Sequence, residues 1–312
     1  MYKSLEDLGC HPYARFEDKR GVVIRLIRSR ESKRRNLVAL AMALVTIASV
    51  YYSGIGLSDV SVMLGKTGIQ WKPEGYLIGL LVPLLVHEAG HWFAMLKYGV
   101  PRSLPYLLPA PPIQLGFLGT FGAVINLRWL PPSSEALSVM AVAGPLAGFL
   151  AAIPLAIMGL QDSVVNVSDL PPGTQEIGVA PLIMVVFLSM IDLGEGQVVL
   201  ASPMAYATYV VFIVTFLNLL PVAMLDGGHL VRSVVGERTH AIISQVTVIL
   251  LFAASFIVPL FFLFAFLALF MLLLTRGRHP GTSLGVERIT WKVAVSLVIY
   301  FLLLILTVPV PL

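Results

Sequence analysis

The chain has 312 residues, of which 57% are hydrophobic and 12% charged, with a mean hydropathy of +0.88 and a formal net charge of +4. Soluble domains carry roughly 25% charged residues, so the composition excludes an ordinary water-soluble globule and predicts an all-α polytopic membrane protein. The one cysteine, Cys10, excludes an intramolecular disulfide framework, and basic charge with no accompanying recognition motif argues against a nucleic-acid partner.

Of the 21 Lys and Arg residues, 10 lie before Asn36. Residues 1–36 therefore read as a basic, solvated cytoplasmic segment that sets topology by the positive-inside rule and is drawn to anionic lipid. No cleavable signal peptide is expected, because the first apolar run starts too far into the chain. A first membrane helix is expected over Leu37–Tyr52, followed by a loop containing Gly54, Gly56, Lys66 and Pro73. A second, over Gly75–Tyr98, runs from outside to inside and carries His87-Glu88-Ala89-Gly90-His91 in its later half.

Residues 100–132 are broken by Pro101, Pro105, Pro109, Pro111 and Pro112, and end at Pro131-Pro132. Within them, about 113–127 is rich in glycine, β-branched and aromatic residues and predicts a short membrane-associated β segment. A third span is expected over Glu135–Leu160; its small-residue patch Ala143-Gly144-Pro145-Leu146-Ala147-Gly148 reads as a site of close helix packing. Residues 161–202 hold no Lys or Arg and read as an external loop, with Ala180–Ile191 an interfacial or re-entrant helix. A fourth span, Ser202–Leu220, returns the chain to the inside and delivers Asn218-Leu219-Leu220-Pro221-Val222-Ala223-Met224-Leu225-Asp226-Gly227-Gly228-His229. Further spans over Ala241–Val258, Pro259–Leu274 and Thr290–Thr307 bring the expected number to about six to eight.

The chemistry centres on His87 and His91. Four apart on a helix, they share one face. His-Glu-x-x-His supplies two imidazole ligands for zinc and a carboxylate, Glu88, placed as general base for an attacking water. A catalytic zinc needs a third protein ligand. Asp226 is the best candidate, because it emerges at the same face and similar depth as His91, with Pro221 ending the preceding helix and Gly227-Gly228 permitting a tight turn. The plainer reading of Asp226 is a helix-end carboxylate. Asn218 either steadies substrate or oxyanion, or hydrogen-bonds between helices. His229 and His240 read as interfacial cations, and His11 and His279 as solvated loop residues.

With both motifs in place, the chain resembles the site-2 protease family of intramembrane zinc metalloproteases. The resemblance rests on His87-Glu88-Ala89-Gly90-His91 and on Asn218-x-x-Pro221-x-x-x-Leu225-Asp226-Gly227-Gly228, and it covers roughly residues 75–240. Ile113–Asn126 and Ala143-Gly144-Pro145 look like the archaeal and plant-chloroplast branch. Family members often have a polar residue where Gly148 stands. The resemblance implies one zinc per chain held by His87, His91 and Asp226, with Glu88 catalytic and Asn218 assisting. It implies transmembrane segments of other proteins as substrates, cut within the bilayer, with the active site toward the cytoplasmic side of what is expected to be the cell membrane. Neither 100–132 nor 161–202 is long enough for a PDZ domain, so none is expected. The expected organisation is a basic segment over 1–36 and a membrane metalloprotease domain over 37–312. Rival readings are a zinc protease completed by a glutamate, a transporter, and a non-catalytic scaffold using the His/Asp cluster to bind metal or ions.

Overall fold

A computed structural model describes residues 10–17, 21–28, 34–100, 103, 105–125, 130–170, 174–283 and 289–312. Most of the basic run between Arg28 and Arg35, the end of the expected β segment at 126–127, and Arg288 lie outside these residues.

The described part of the basic N-terminal segment is not a plain tail. Cys10–Glu17 (β1) and Gly21–Arg28 (β2) form an antiparallel hairpin, with His11 in its first strand. The β-branched residues Val22, Val23, Ile24 and Ile27 suit a strand, a signal masked in the sequence by the surrounding charge.

Among the described residues, three helices are long and apolar enough to cross a bilayer: Leu37–Met63 within α1 (Arg34–Met63), α2 (Pro73–Lys97) and α3 (Ser134–Gly159). The first continues well past the expected end at Tyr52. Gly54 and Gly56 do not break it, because each lies where a side chain would collide, with the backbone of Pro73 and with Gln114 respectively. Close packing there offsets the roughly 1 kcal/mol cost of a helical glycine. α2 starts on Pro73, and Ser133 caps α3 by accepting from the Ala136 N–H at 3.1 Å.

Between α2 and α3, Tyr106–Pro109 (β3) pairs antiparallel with Thr120–Val124 (β4), with a register shift between Leu107 and Pro109. The expected β segment is thus only its second half. Residues 113–115 form a 3₁₀ turn, and the first strand comes from the proline-rich stretch, which tolerates proline because it is a sheet edge. α1 holds the hairpin: Ser49 Oγ donates to the Ala110 carbonyl at 2.6 Å, and the Ile113 N–H donates to Ser53 Oγ at 3.0 Å.

After α3, Val164–Asn166 (β5) pairs with Gln197–Val199 (β7), and Val179–Pro181 (β6) leads into Leu182–Leu188 (α4). At about 1.5 Å per residue, the 7-residue α4 is far too short to cross a bilayer. α5 (Pro203–Asn218) follows, capped by Ser202, then α6 (Asp226–Val234), α7 (Glu237–Ala254), α8 (Leu260–Leu274) and α9 (Trp291–Thr307). Of these, α5, α8 and α9 are shorter apolar helices. β8 (Pro309–Pro311) closes onto β6.

α3 is the most enclosed of the three long helices. It packs on α2, α5, α6 and α9, and its Phe149, Ala152 and Ala156 join Phe212, Leu219 and Leu230 in the main core. One end of the bundle is tied by Glu135, which accepts from Lys292 Nζ at 2.6 Å, Tyr98 Oη at 3.0 Å and Thr290 Oγ1 at 3.2 Å. Large apolar side chains on the outer helices and their connecting turns remain uncovered, Val62 in α1 being 82% and Phe256, in the turn after α7, 93% exposed. Their exposure suits lipid and would be costly in water.

Candidate metal centre

Two helices and one turn build the site. α2 contributes His87, Glu88 and His91. Their placement depends on how closely α3 approaches: a Cβ at Gly144 would run into the His91 imidazole, and one at Gly148 into His87 and the Pro83 carbonyl. The small-residue patch is therefore a packing surface, as expected, and it seats the two histidines. Gly148 lies flush against His87. Adding a branched side chain with Gly144→Val should displace His91 and lower metal affinity by about 100-fold, the upper range for disturbed ligand support, with metal titration as the check.

Asp226 arrives from the other side as the first residue of α6. The preceding turn is tight. Ala223 adopts φ 49°, a region rare for residues with a side chain. α7 holds it there: the Ala223 N–H donates to Ser244 Oγ and Ser244 Oγ donates to the Pro221 carbonyl, both at 3.2 Å. Gly227 lies against the Leu219 and Leu220 carbonyls, and Gly228 against those of Val222 and Ala223, so neither position has room for a Cβ.

The result is a compact ligand set. His87 Nε2 is 3.3 Å from Asp226 Oδ2, and His91 Nε2 is 3.3 Å from Asp226 Oδ1. The two Nε2 atoms are 3.0 Å apart. Ligands about 2.0–2.2 Å from a tetrahedral zinc lie roughly 3.3 Å from one another, so the spacing fits such an ion. The tautomer fits too. His91 Nδ1 donates to the Met140 carbonyl at 2.7 Å, leaving Nε2 with a free lone pair toward the cluster. Among the described residues these three are the group of His, Cys, Asp and Glu side chains that could hold a metal ion.

They line a cavity of about 260 Å³ together with Glu88, Asn218, Ala123 and His229. Glu88 is buried at 6% exposure and stands outside the ligand trio, free for acid–base work. Asn218, the last residue of α5, opens onto the same space. Ala123 brings β4 to the cavity wall, and among the described residues β4 pairs only with β3.

Three histidines differ from expectation. His240 and His279 are each 1% exposed, neither an interfacial cation nor a solvated loop residue, and His229 faces the cavity. The spacing of His229 three residues after Asp226 on one helix was the available signal. For His279 no local signal existed, since its partners are distant in sequence. Burial, with His229, His240 and Arg232 beside it, pushes the His279 imidazole down to about 2. An unfolded histidine titrates near 6.5, so the unfolded state binds the extra proton first. The stabilisation is complete above about pH 6.5 and falls by up to about 1.4 kcal/mol per unit as pH drops below it. Thermal unfolding in detergent should show this acid slope, and His279→Gln should flatten it.

Fold and site together define a helical membrane protein whose central helices enclose a cavity lined by Glu88 and by a His-His-Asp group that could hold a metal ion. Over residues 75–263 the chain matches peptidase family M50, and it belongs to that family, which is the site-2 protease family its motifs resemble. It is 28% identical over 285 residues to the probable zinc metalloprotease EGY2, chloroplastic, of Arabidopsis thaliana, covering 87% of this chain and 48% of that protein. It is 28% identical over 170 residues to the probable zinc metalloprotease EGY1, chloroplastic, of Oryza sativa subsp. japonica, covering 51% of this chain and 28% of that one. The probable zinc metallopeptidase EGY3, chloroplastic, of Arabidopsis thaliana is 30% identical over 189 residues, covering 55% of this chain and 32% of that protein. The chain thus spans half or less of the length of these relatives. No solved structure matches it.

Proposed function

We propose that the chain is an intramembrane zinc endopeptidase that cuts transmembrane segments of other membrane proteins. The convergence of His87, His91 and Asp226, whose ligand atoms all lie within 4.8 Å of one another beside Glu88, carries the reading. His87, His91 and Asp226 hold one zinc. When bound, zinc polarises the scissile carbonyl and makes water more acidic in the cavity. Glu88 takes a proton from the attacking water and passes it to the leaving amide nitrogen. Asn218 steadies the substrate backbone or the developing oxyanion.

In this reading residues 1–36 are a basic cytoplasmic segment and 37–312 the membrane protease domain, with a catalytic core over about 75–240. The three long helices cross the bilayer and the shorter apolar helices complete six to eight spans. The active site then lies within the bilayer of the cell membrane, toward the cytoplasm. A peptide bond in a helix is shielded, so the substrate must unwind near the site. The free edge of β4 offers it main-chain hydrogen bonds as an added strand. Prolines introduced at Phe121 and Ala123 should then lower cleavage with bound zinc retained; unchanged cleavage would rule out strand pairing.

The direct test is to incubate the purified protein with single-span substrates, with and without a zinc chelator. Cleavage that stops on chelation and returns with added zinc is expected. Cleavage indifferent to the chelator would rule out the metal-dependent mechanism.

A further inference from the structure

His229 lies one turn beyond Asp226 on α6 and faces the cavity shared by Glu88 and Asn218. It is not in the ligand trio. Its Nδ1 is 2.8 Å from His279 Nε2. On the far side of that second ring, the Gly281 backbone N–H is 3.0 Å from His279 Nδ1.

These two contacts fix both tautomers. A backbone N–H can only donate, so His279 Nδ1 is bare and its proton is on Nε2. That proton is donated to His229 Nδ1, which is therefore bare as well. The proton of His229 is left on Nε2. With Nδ1 turned to His279, the Nε2 edge of the ring is what remains to face the cavity. A nitrogen carrying a proton cannot ligate a metal, so His229 presents a donor there rather than a lone pair.

The relay is built into the fold. His279 is 1% exposed, and its carbonyl accepts from Arg232 Nε at 3.4 Å. The Arg232 guanidinium also donates to the Val235 carbonyl at 2.9 Å and packs over Gly281, where a Cβ would collide with it. The His240 ring meets His279 edge-on at 5.1 Å. The loop bearing His279 is thereby clamped to the helix bearing Asp226.

We propose that His229 is a further catalytic residue: its Nε2–H donates to the substrate oxygen that gains negative charge as the peptide carbonyl is attacked, and His279 is the positioning residue that fixes the donor tautomer. The proposal rests on the proteolytic reading above. The N–H is not transferred; it stabilises charge that exists only at the transition state, so it acts on kcat rather than on substrate affinity.

The test has two arms. In the metal-free wild-type protein labelled with ¹⁵N-histidine, NMR should read both His229 and His279 as Nε2–H tautomers; Nδ1–H on either ring overturns the proposal. In cleavage assays on a single-span substrate, His229→Ala should lower kcat about 100-fold with KM and bound zinc unchanged. His229→Gln, whose amide N–H reaches the Nε2 position, should recover most of the loss. His279→Ala should lower kcat by about tenfold, the lower end for a residue that orients another, and His279→Gln should restore it. An unchanged kcat in His229→Ala, or zinc loss from a variant that still elutes as the wild type does, overturns the assignment. The tautomer arm needs no variant to fold. A wild-type protein that cleaves no transmembrane substrate while keeping both tautomers would bring down the proteolytic reading, and the catalytic role with it.

Discussion

Glu88→Gln should leave bound zinc at the wild-type level and lower cleavage of a transmembrane substrate by about 10³-fold, within the range for loss of a general base. The substitution preserves shape and removes only the capacity to take a proton. Glu88 is buried in the cavity wall, adjacent in sequence to His87, yet outside the group of atoms that can share a metal. Zinc content and cleavage should therefore separate. If zinc were lost together with activity, Glu88 would be a ligand or a support of the site rather than the base. If cleavage survived, another group would have to move the proton, and among the other described polar groups that line the cavity none is a free carboxylate.

Asp226→Ala should have the opposite signature, with zinc falling to below about a tenth of wild-type occupancy because a three-ligand site reduced to two histidines binds weakly. Asp226 faces both imidazoles at 3.3 Å, one through each carboxylate oxygen. Two neutral histidines on one helix turn would remain, without a charge opposite the ion. Metal analysis after dialysis reads this directly. Full zinc retention would show that Asp226 is a helix-end carboxylate, the plainer reading of its sequence position, and that the third ligand lies elsewhere.

How far the site was legible in the sequence depends on how local its logic is. His87, Glu88 and His91 are linked by helical periodicity alone. Asp226 needed one further step, the sidedness of the span before it, and Pro221 and Gly227-Gly228 marked the turn. The packing of the Gly144–Gly148 patch was legible because small residues have few other uses in an apolar helix. Misreadings arose where a local signal was overruled from a distance. Gly54 and Gly56 looked like loop residues, but the Pro73 backbone presses so close to Gly54 that a Cβ has no room, and the Gln114 side chain packs over Gly56. The first strand of the hairpin by the cavity hid among prolines. His279 looked solvated because its burial comes from Arg232, His229 and His240, some 40 to 50 residues earlier. Its hydrogen bonds, which orient a second polar group in the cavity, had no counterpart in any motif.

On the proposed function, zinc-dependent cleavage happens inside the apolar span of a substrate. The most direct measurement reconstitutes the protein with a single-span substrate in liposomes and identifies the new termini by mass spectrometry, with the Glu88→Gln protein as control. Termini are expected within the substrate's membrane-spanning segment, absent with Glu88→Gln and absent under zinc chelation. Termini confined to the flanking soluble segments, or produced equally by Glu88→Gln, would contradict the proposed function.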